Sequence, residues 1–198
     1  MRKFSFFCSL VYFDVEGTNI NDQQLKSILK NSFKTIETLR IKYCENLTKY
    51  IHSKICLSCE NLKTFNVSKI EEHSLSKLKS RSLQSLKLYF SSFETNTLEN
   101  LIPNLLNLKQ LKFYDSNLND NSLKLICFNF TNLKKLSISD HNVSDFGCKY
   151  ISNLHPNLKE LDISECDSIT EEGKFCYYFF YFCLLKFFFL IFFFFIFI

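Results

Sequence analysis

Residues 158–173 read LKELDISECDSITEEG and contain both halves of a short structural unit. The spacing L-x-x-L-x-I ends at Leu161 and Ile163, and alternate side chains of such a stretch point to opposite faces of a strand. Thr170 and Glu171 follow, and a threonine before an acidic residue is a typical helix N-cap signal. The stretch therefore predicts a strand, a turn and the start of a helix.

The same spacing occurs seven times along the chain. Successive units begin 26, 26, 21, 25, 25 and 25 positions apart, at Leu10, Ile36, Leu62, Leu83, Leu108, Leu133 and Leu158. N-cap pairs follow four of the strands, at Asn21-Asp22, Asn119-Asp120, Ser144-Asp145 and Thr170-Glu171. Apolar residues at helical spacing come next, at Leu25, Ile28, Leu29, Leu123, Ile126, Cys148 and Ile151. Each unit is thus predicted to be a strand followed by a helix.

One such unit cannot bury its apolar face alone, so neighbouring units must stack and share a continuous core. Residues 1–174 are therefore predicted to form an α/β leucine-rich-repeat solenoid of about seven repeats. It should be a right-handed horseshoe arc, with a parallel sheet on the concave face and helices on the convex face.

The last unit resembles the cysteine-containing class of leucine-rich repeat, and residues 8–174 are similar to the RNI-like repeat domains of F-box proteins. Those proteins are substrate receptors of SCF ubiquitin ligases. The resemblance implies a protein–protein interaction module, the substrate-recognition part of such a receptor, acting in ubiquitin-dependent degradation. An SCF adaptor would be a second partner if an F-box precedes Met1. The alternative is a leucine-rich-repeat scaffold or adaptor without a ligase connection.

The sequence departs from the pattern of those proteins in three respects. No F-box is present, and the third and fourth units lack a clear T-D-x-G. The cysteine that follows the strand is kept at Cys44 and Cys166, where a small side chain can pack beneath the turn. It is replaced at Thr18, Ile70, Ser91, Ser116 and His141.

Outward-facing strand residues are the predicted contact surface for a protein substrate. Acidic residues lie at both ends of this surface and cations lie between them. Aromatic side chains beside cations are typical anchors of protein interfaces. The candidate binding residues are Arg40, Lys42, Lys87, Tyr89, Lys112, Tyr114 and Lys135. Replacing Tyr89 and Tyr114 with alanine is predicted to weaken binding and leave the fold intact; the alternative is an ordinary solvated face.

No catalytic, metal or cofactor site is predicted. Cys56 and Cys59, with His52 one helical turn earlier, supply three ligands, whereas a structural zinc site needs four. They are predicted to be packing residues. No phosphate-binding loop, nucleophile elbow or zinc-protease motif is present, so an enzyme is not expected. The net charge of +4 comes from interspersed signs, which does not favour nucleic acid.

The two ends of the chain differ from the repeats. Residues 4–13 have the outline of a signal peptide but lack a small-residue cleavage site. Residues 175–198 hold 12 Phe and one charge, Lys186. This hydrophobic tail is interpreted as translated non-coding sequence, as a membrane anchor, or as a final folded element, in that order. Nine cysteines without a disulfide framework favour the cytoplasm or nucleus, with a membrane-anchored location second.

Overall fold

Seven parallel strands form one sheet in chain order in the computed structural model, which describes residues 9–91, 95–139 and 142–174. A helix follows each of the first six strands. The elements are β1 (Tyr12–Asp14), α1 (Asp22–Leu29), β2 (Thr38–Ile41), α2 (Lys49–Ser58), β3 (Thr64–Ser68), α3 (Glu72–Leu75), β4 (Ser85–Tyr89), α4 (Thr95–Leu101), β5 (Gln110–Tyr114), α5 (Asp120–Asn129), β6 (Lys135–Ser139), α6 (Asp145–Leu154) and β7 (Glu160–Asp162). A short 3-10 turn, Ile102–Asn104, extends α4. The predicted α/β leucine-rich-repeat solenoid is confirmed.

The strand register reproduces the spacing of the repeats. Tyr12 is paired with Thr38, Thr38 with Thr64, and Thr64 with Ser85, which are offsets of 26, 26 and 21 positions. The last three pairings are each offset by 25 positions. A slip of one residue would turn every apolar side chain to the solvent face, so the repeated L-x-L pattern fixes this register.

The core lies between the sheet and the helices and runs through the repeats. Leu39, Phe65, Leu86, Leu111 and Leu136 occupy equivalent strand positions in register, and each is at most 1% exposed. Most predicted helix positions are also buried, but the prediction for Ile28 is wrong. Ile28 is 43% exposed, because Leu25 and Leu29 already form the inward stripe of the short helix α1.

Cys44 and Cys166, which follow β2 and β7, pack beneath their turns, as the sequence indicated. The Cys44 thiol donates to the Val15 carbonyl at 3.0 Å, and the Cys166 thiol donates to the Ile138 carbonyl at 3.6 Å. Thr18 donates to the same Val15 carbonyl at 2.8 Å. His141 lies outside the described residues. These side chains donate to backbone carbonyls at or just beyond the ends of β1 and β6.

The predicted N-cap residues cap their helices. Asn21 forms a reciprocal capping box with Gln24, with both hydrogen bonds at 3.0 Å. Asn119 accepts a hydrogen bond from the Ser122 amide at 3.0 Å, and Ser144 accepts one from the Phe146 amide at 3.3 Å. These bonds satisfy amides that have no partner within the helix.

An aspartate at the first position of one helix also binds the start of the next helix. The Asp120 carboxylate accepts hydrogen bonds from the Ser144 amide at 2.9 Å and the Ser144 hydroxyl at 2.6 Å. The same pair of bonds joins Asp22 to Thr48 and Asp145 to Thr170. A carboxylate there is stabilised by the positive end of the following helix.

This contact gives the glycine of the T-D-x-G pattern a physical reason. A Cβ on Gly147 would lie 2.6 Å from Asp120 Oδ1 and 2.8 Å from Val143 Cγ1. Gly173 approaches the Asp145 carboxylate in the same manner. At these two junctions the carboxylate lies where the Cβ of any other residue at the third helical position would overlap it.

Replacing Asp120 with alanine should lower the free energy of unfolding by about 1–2 kcal/mol, because both Ser144 donors lose a charged acceptor. Urea denaturation measures this cost. Glu72→Ala is the matched control, because Glu72 also opens a helix and its side chain makes no hydrogen bond within the described residues. An equal cost for both variants would mean that the inter-repeat bond contributes nothing.

No helix among the described residues is long and apolar enough to cross a membrane. The hydrophobic tail, 175–198, and residues 1–8 of the amino-terminal segment lie outside the described residues.

Candidate interaction surface

The strands present three rows of outward-facing side chains, as predicted. The first row is Tyr12, Thr38, Thr64, Ser85, Gln110, Lys135 and Glu160. The middle row is Asp14, Arg40, Asn66, Lys87, Lys112, Ser137 and Asp162. In the third row, Ser68, Tyr89 and Tyr114 are in register. All seven candidate binding residues therefore belong to one face of the sheet or to the turn beside it.

The acidic ends of this face neutralise part of its positive charge. At one end, Arg40 Nη1 lies 3.4 Å from Asp14 Oδ2. At the other end, Lys135 Nζ lies 2.6 Å from Glu160 Oε1, and Lys112 Nζ lies 3.9 Å from Asp162 Oδ2. Three of the five candidate cations are thus paired within the sheet.

Lys87 stands in the centre of the face without a salt bridge to any described residue. Its pKa is held below the usual value, first by burial and then by the positive charges of Arg40 and Lys112. The charged form of Lys87 is therefore less favourable in the isolated protein than that of a lysine in water. The centre of the face carries an excess of positive charge.

Four aromatic rings form a cluster next to this cation. The centroid of Tyr89 lies 5.9 Å from that of Tyr43 and 6.0 Å from that of Tyr114. The Phe90 ring meets Tyr114 edge-to-face at 5.6 Å and lies 6.0 Å from Tyr43. Such tilted and edge-to-face arrangements are favourable for aromatic pairs. We call Tyr43, Tyr89, Phe90 and Tyr114 the ring cluster.

Lys42 is part of the same arrangement. Its ammonium lies 4.3 Å from the Tyr43 centroid and 4.1 Å from the Tyr89 centroid, which is cation–π geometry. Burial acts to lower the pKa of Lys42, but the two tyrosines outweigh it and hold that pKa above its usual value. Lys42 therefore serves as a fixed charge held against two rings.

Tyr89 differs from the expectation of an exposed anchor, because it is only 7% exposed. Tyr43 and Phe90 are 41% and 38% exposed and form the outer part of the cluster. An alanine at Tyr89 would remove a buried ring and so reduce stability as well as binding. Tyr43 and Tyr114 are better positions for testing contacts with a partner.

Backbone conformation and a small neighbour place the ring of Tyr43. Tyr43 and Phe90 follow β2 and β4 with φ values of 58° and 53°, in the left-handed region. Between these strands, the Ser68 hydroxyl accepts a hydrogen bond from the Tyr43 amide at 3.0 Å. Since β3 presents only this small side chain at that row, the ring of Tyr43 can reach Tyr89 across it.

Two buried polar atoms beside the cluster have no hydrogen-bond partner among the described residues. Asn66 is 5% exposed, and its amide donates to Glu16 Oε1 at 3.0 Å while its Oδ1 accepts nothing. Arg40, its neighbour in the middle row, pairs through Nη1 but leaves Nε unsatisfied. Buried polar atoms without partners are uncommon, and at a surface they suggest a ligand that completes them.

The sequence hypothesis that His52, Cys56 and Cys59 are packing residues agrees with their burial. The two cysteines are 0% exposed and His52 is 2% exposed. Burial raises the pKa of the Cys59 thiol to about 12, and it raises that of Cys56 further. Among the described residues, no three His, Cys, Asp or Glu side chains form a group that could hold a metal ion.

A polar groove of about 510 Å³ lies at the opposite edge of the sheet, where the strands begin. Three lysines and three amide side chains line it, with Ser82: Lys63, Lys109, Lys134, Gln84, Asn107 and Asn132. Lys63 is paired with Glu37 at 2.8 Å, and Asn107 and Asn132 donate to carbonyls of the preceding repeat. The groove is thus largely committed to contacts between repeats.

Comparison with known proteins supports the fold. Neither a protein-family model nor a curated protein matches the sequence. A chain of the yeast Rad7–Elc1 complex matches with a TM-score of 0.57 and 16% identity, over 78% of this chain and 48% of that chain. A Bacteroides fragilis protein matches with a TM-score of 0.44 and 18% identity, over 76% of this chain and 53% of that one. This chain therefore spans about half the length of either.

Proposed function

We propose that the chain is the substrate-recognition part of an F-box-type SCF ubiquitin ligase receptor, with protein substrates bound on the concave face. The ring cluster is the observation that carries this proposal. It combines exposed aromatic area with fixed cations on a rigid sheet, which is the composition of energetic anchors in protein interfaces. Sites held on strands are positioned more precisely than sites on loops.

The ligase connection is supported by the cysteine-containing class of repeat and by the likeness to a chain of the Rad7–Elc1 complex. A non-ligase scaffold would use the same face, since repeat solenoids with one core carry many functions. The two functions differ in whether the protein also binds a cullin-ligase adaptor.

Affinity purification of the tagged full-length gene product from its own cells tests both parts. Wild-type protein should recover a cullin-ligase adaptor together with further proteins, the substrates. Replacing Tyr43 and Tyr114 with alanine should weaken the binding of substrates by about 2 kcal/mol, roughly 30-fold, and leave the binding of the adaptor unchanged. Quantitative mass spectrometry of the eluates measures both.

Tyr50→Ala combined with Phe146→Ala is the control, because it removes two exposed aromatic rings from the helical side. Substrates kept by the ring-cluster variant would contradict the assignment of this face. Absence of the adaptor would contradict the ligase role and favour the scaffold.

A further inference from the structure

We propose that the centre of the concave face binds an acidic peptide segment, with a carboxylate of the partner between Arg40 and Lys87 and an adjacent apolar side chain on the ring cluster. This inference rests on the proposed function and specifies the chemistry of the partner. The inference starts from the excess positive charge on the face, for which the contacts among the aromatic rings give no reason.

The first step is the charge that the protein leaves uncompensated. Lys87 has no salt bridge to a described residue, and Arg40 has a buried Nε without a hydrogen-bond partner. Both belong to the middle row, one strand to either side of Asn66. A carboxylate has two oxygens and can accept from two such donors at once. Binding would give Lys87 a carboxylate partner and Arg40 an acceptor for its Nε, beyond the ion pair that Arg40 makes with Asp14.

The second step is the buried amide between them. Asn66 donates to Glu16, and its buried Oδ1 has no donor. A rotation of the Asn66 side chain would turn this oxygen toward the backbone N–H groups of a partner chain running across the position. The site therefore fits an extended peptide better than a small anion, which supplies acceptors only.

The third step is the acidic frame around the site. Asp14 lies on one side, and Glu160 and Asp162 lie on the other. The Glu16 carboxylate lies nearer the centre, where it accepts from Asn66. These carboxylates would repel the continuous negative charge of a nucleic acid or a long acidic tract. The distribution favours a partner with one localised negative charge and an apolar neighbour that can cover Tyr43, Phe90 and Tyr114.

Random dodecapeptides displayed on phage provide the probe. Selection on the purified full chain should enrich peptides that carry Asp or Glu within about two residues of a large apolar side chain. Enrichment of peptides without an acidic residue would overturn the inference. The affinity of one enriched peptide is then measured by fluorescence anisotropy.

A double-mutant cycle decides whether the acidic residue meets Lys87. Lys87→Met should lower the affinity for the peptide about tenfold. Replacing the peptide's Asp or Glu by the corresponding amide should have the same effect. Both changes together should cost little more than either alone, because they remove the same contact. Additive losses would overturn the assignment. Lys134→Met, on the polar groove, is the control and should leave affinity unchanged.

Thermal unfolding separates this role from a structural one. Lys87→Met should raise Tm by about 1 °C, because it removes a half-buried charge that Arg40 and Lys112 repel. A fall in Tm would assign Lys87 to the fold instead.

If enriched peptides bind but their affinity changes with neither Lys87→Met nor the Tyr43/Tyr114 variant, the proposed function of the face fails. If they depend only on the rings, that function stands and the carboxylate site fails.

Discussion

Leu136→Ala is expected to lower the free energy of unfolding by about 2–5 kcal/mol, the usual cost of such a cavity in a packed core. Leu136 lies in β6, is 1% exposed, and is in register with Leu111 of β5 and Leu161 of β7. Its side chain therefore fills space between three stacked repeats. Since neighbouring repeats supply most of each other's contacts, the lost volume weakens both interfaces.

Chemical denaturation with urea measures the change. Leu106→Ala deletes the same atoms from a side chain that is 54% exposed, and it should cost less than about 0.5 kcal/mol. Equal costs for the two variants would show that the L-x-L strands do not face a shared core.

The repeats could be predicted from the sequence because the same alternation of inward apolar and outward polar residues recurs in each strand. Leu39, Phe65 and Leu86 occupy equivalent positions in their units, and all three therefore face inward. In a solenoid each unit pairs only with its neighbours, so the distance between units in the sequence is also the register of the sheet. Even the shorter step of 21 residues at β3 to β4 followed this rule.

The ring cluster was predicted only in part, because strand alternation stops at the last residue of the strand. Tyr89 and Tyr114 fell within that alternation, whereas Phe90 lies one residue beyond β4 and Tyr43 two residues beyond β2. Their left-handed backbone turns both rings back toward the face. A signal was present, since Gly17 occupies the equivalent place with φ 72° and glycine favours that region.

Charges on the face were placed correctly, but their pairing was not predictable. Arg40 and Lys135 meet acidic residues of neighbouring strands, and Lys112 meets Asp162 two strands away. Lys87 meets none among the described residues. Which cation stays unpaired depends on side-chain reach across the sheet and not on position in a unit. Likewise, the burial of Tyr89 depends on the small Ser68 beside it, which lets Tyr43 and Lys42 cover its ring.

Acid should destabilise the protein through His52 between about pH 6.5 and pH 4. Burial lowers the pKa of His52 from 6.5 to about 4, against weaker opposing effects of Asp22 and Glu71. The folded protein therefore binds this proton less readily than the unfolded chain, and stability is lost as pH falls through the window. The loss approaches about 3 kcal/mol near pH 4, the equivalent of that pKa difference.

His52→Leu should remove this part of the pH dependence. Because Nδ1 of His52 has no partner, the change should cost less than about 1 kcal/mol at pH 7. His155, whose pKa burial also lowers, will leave a residual slope in the variant. Urea denaturation from pH 7.5 to pH 4 measures the free energy of unfolding, and the exposed His73→Gln is the control. A wild-type slope in His52→Leu would show that His52 is accessible to protons in the folded state, and the core of α2 would then be less tightly packed than its burial indicates.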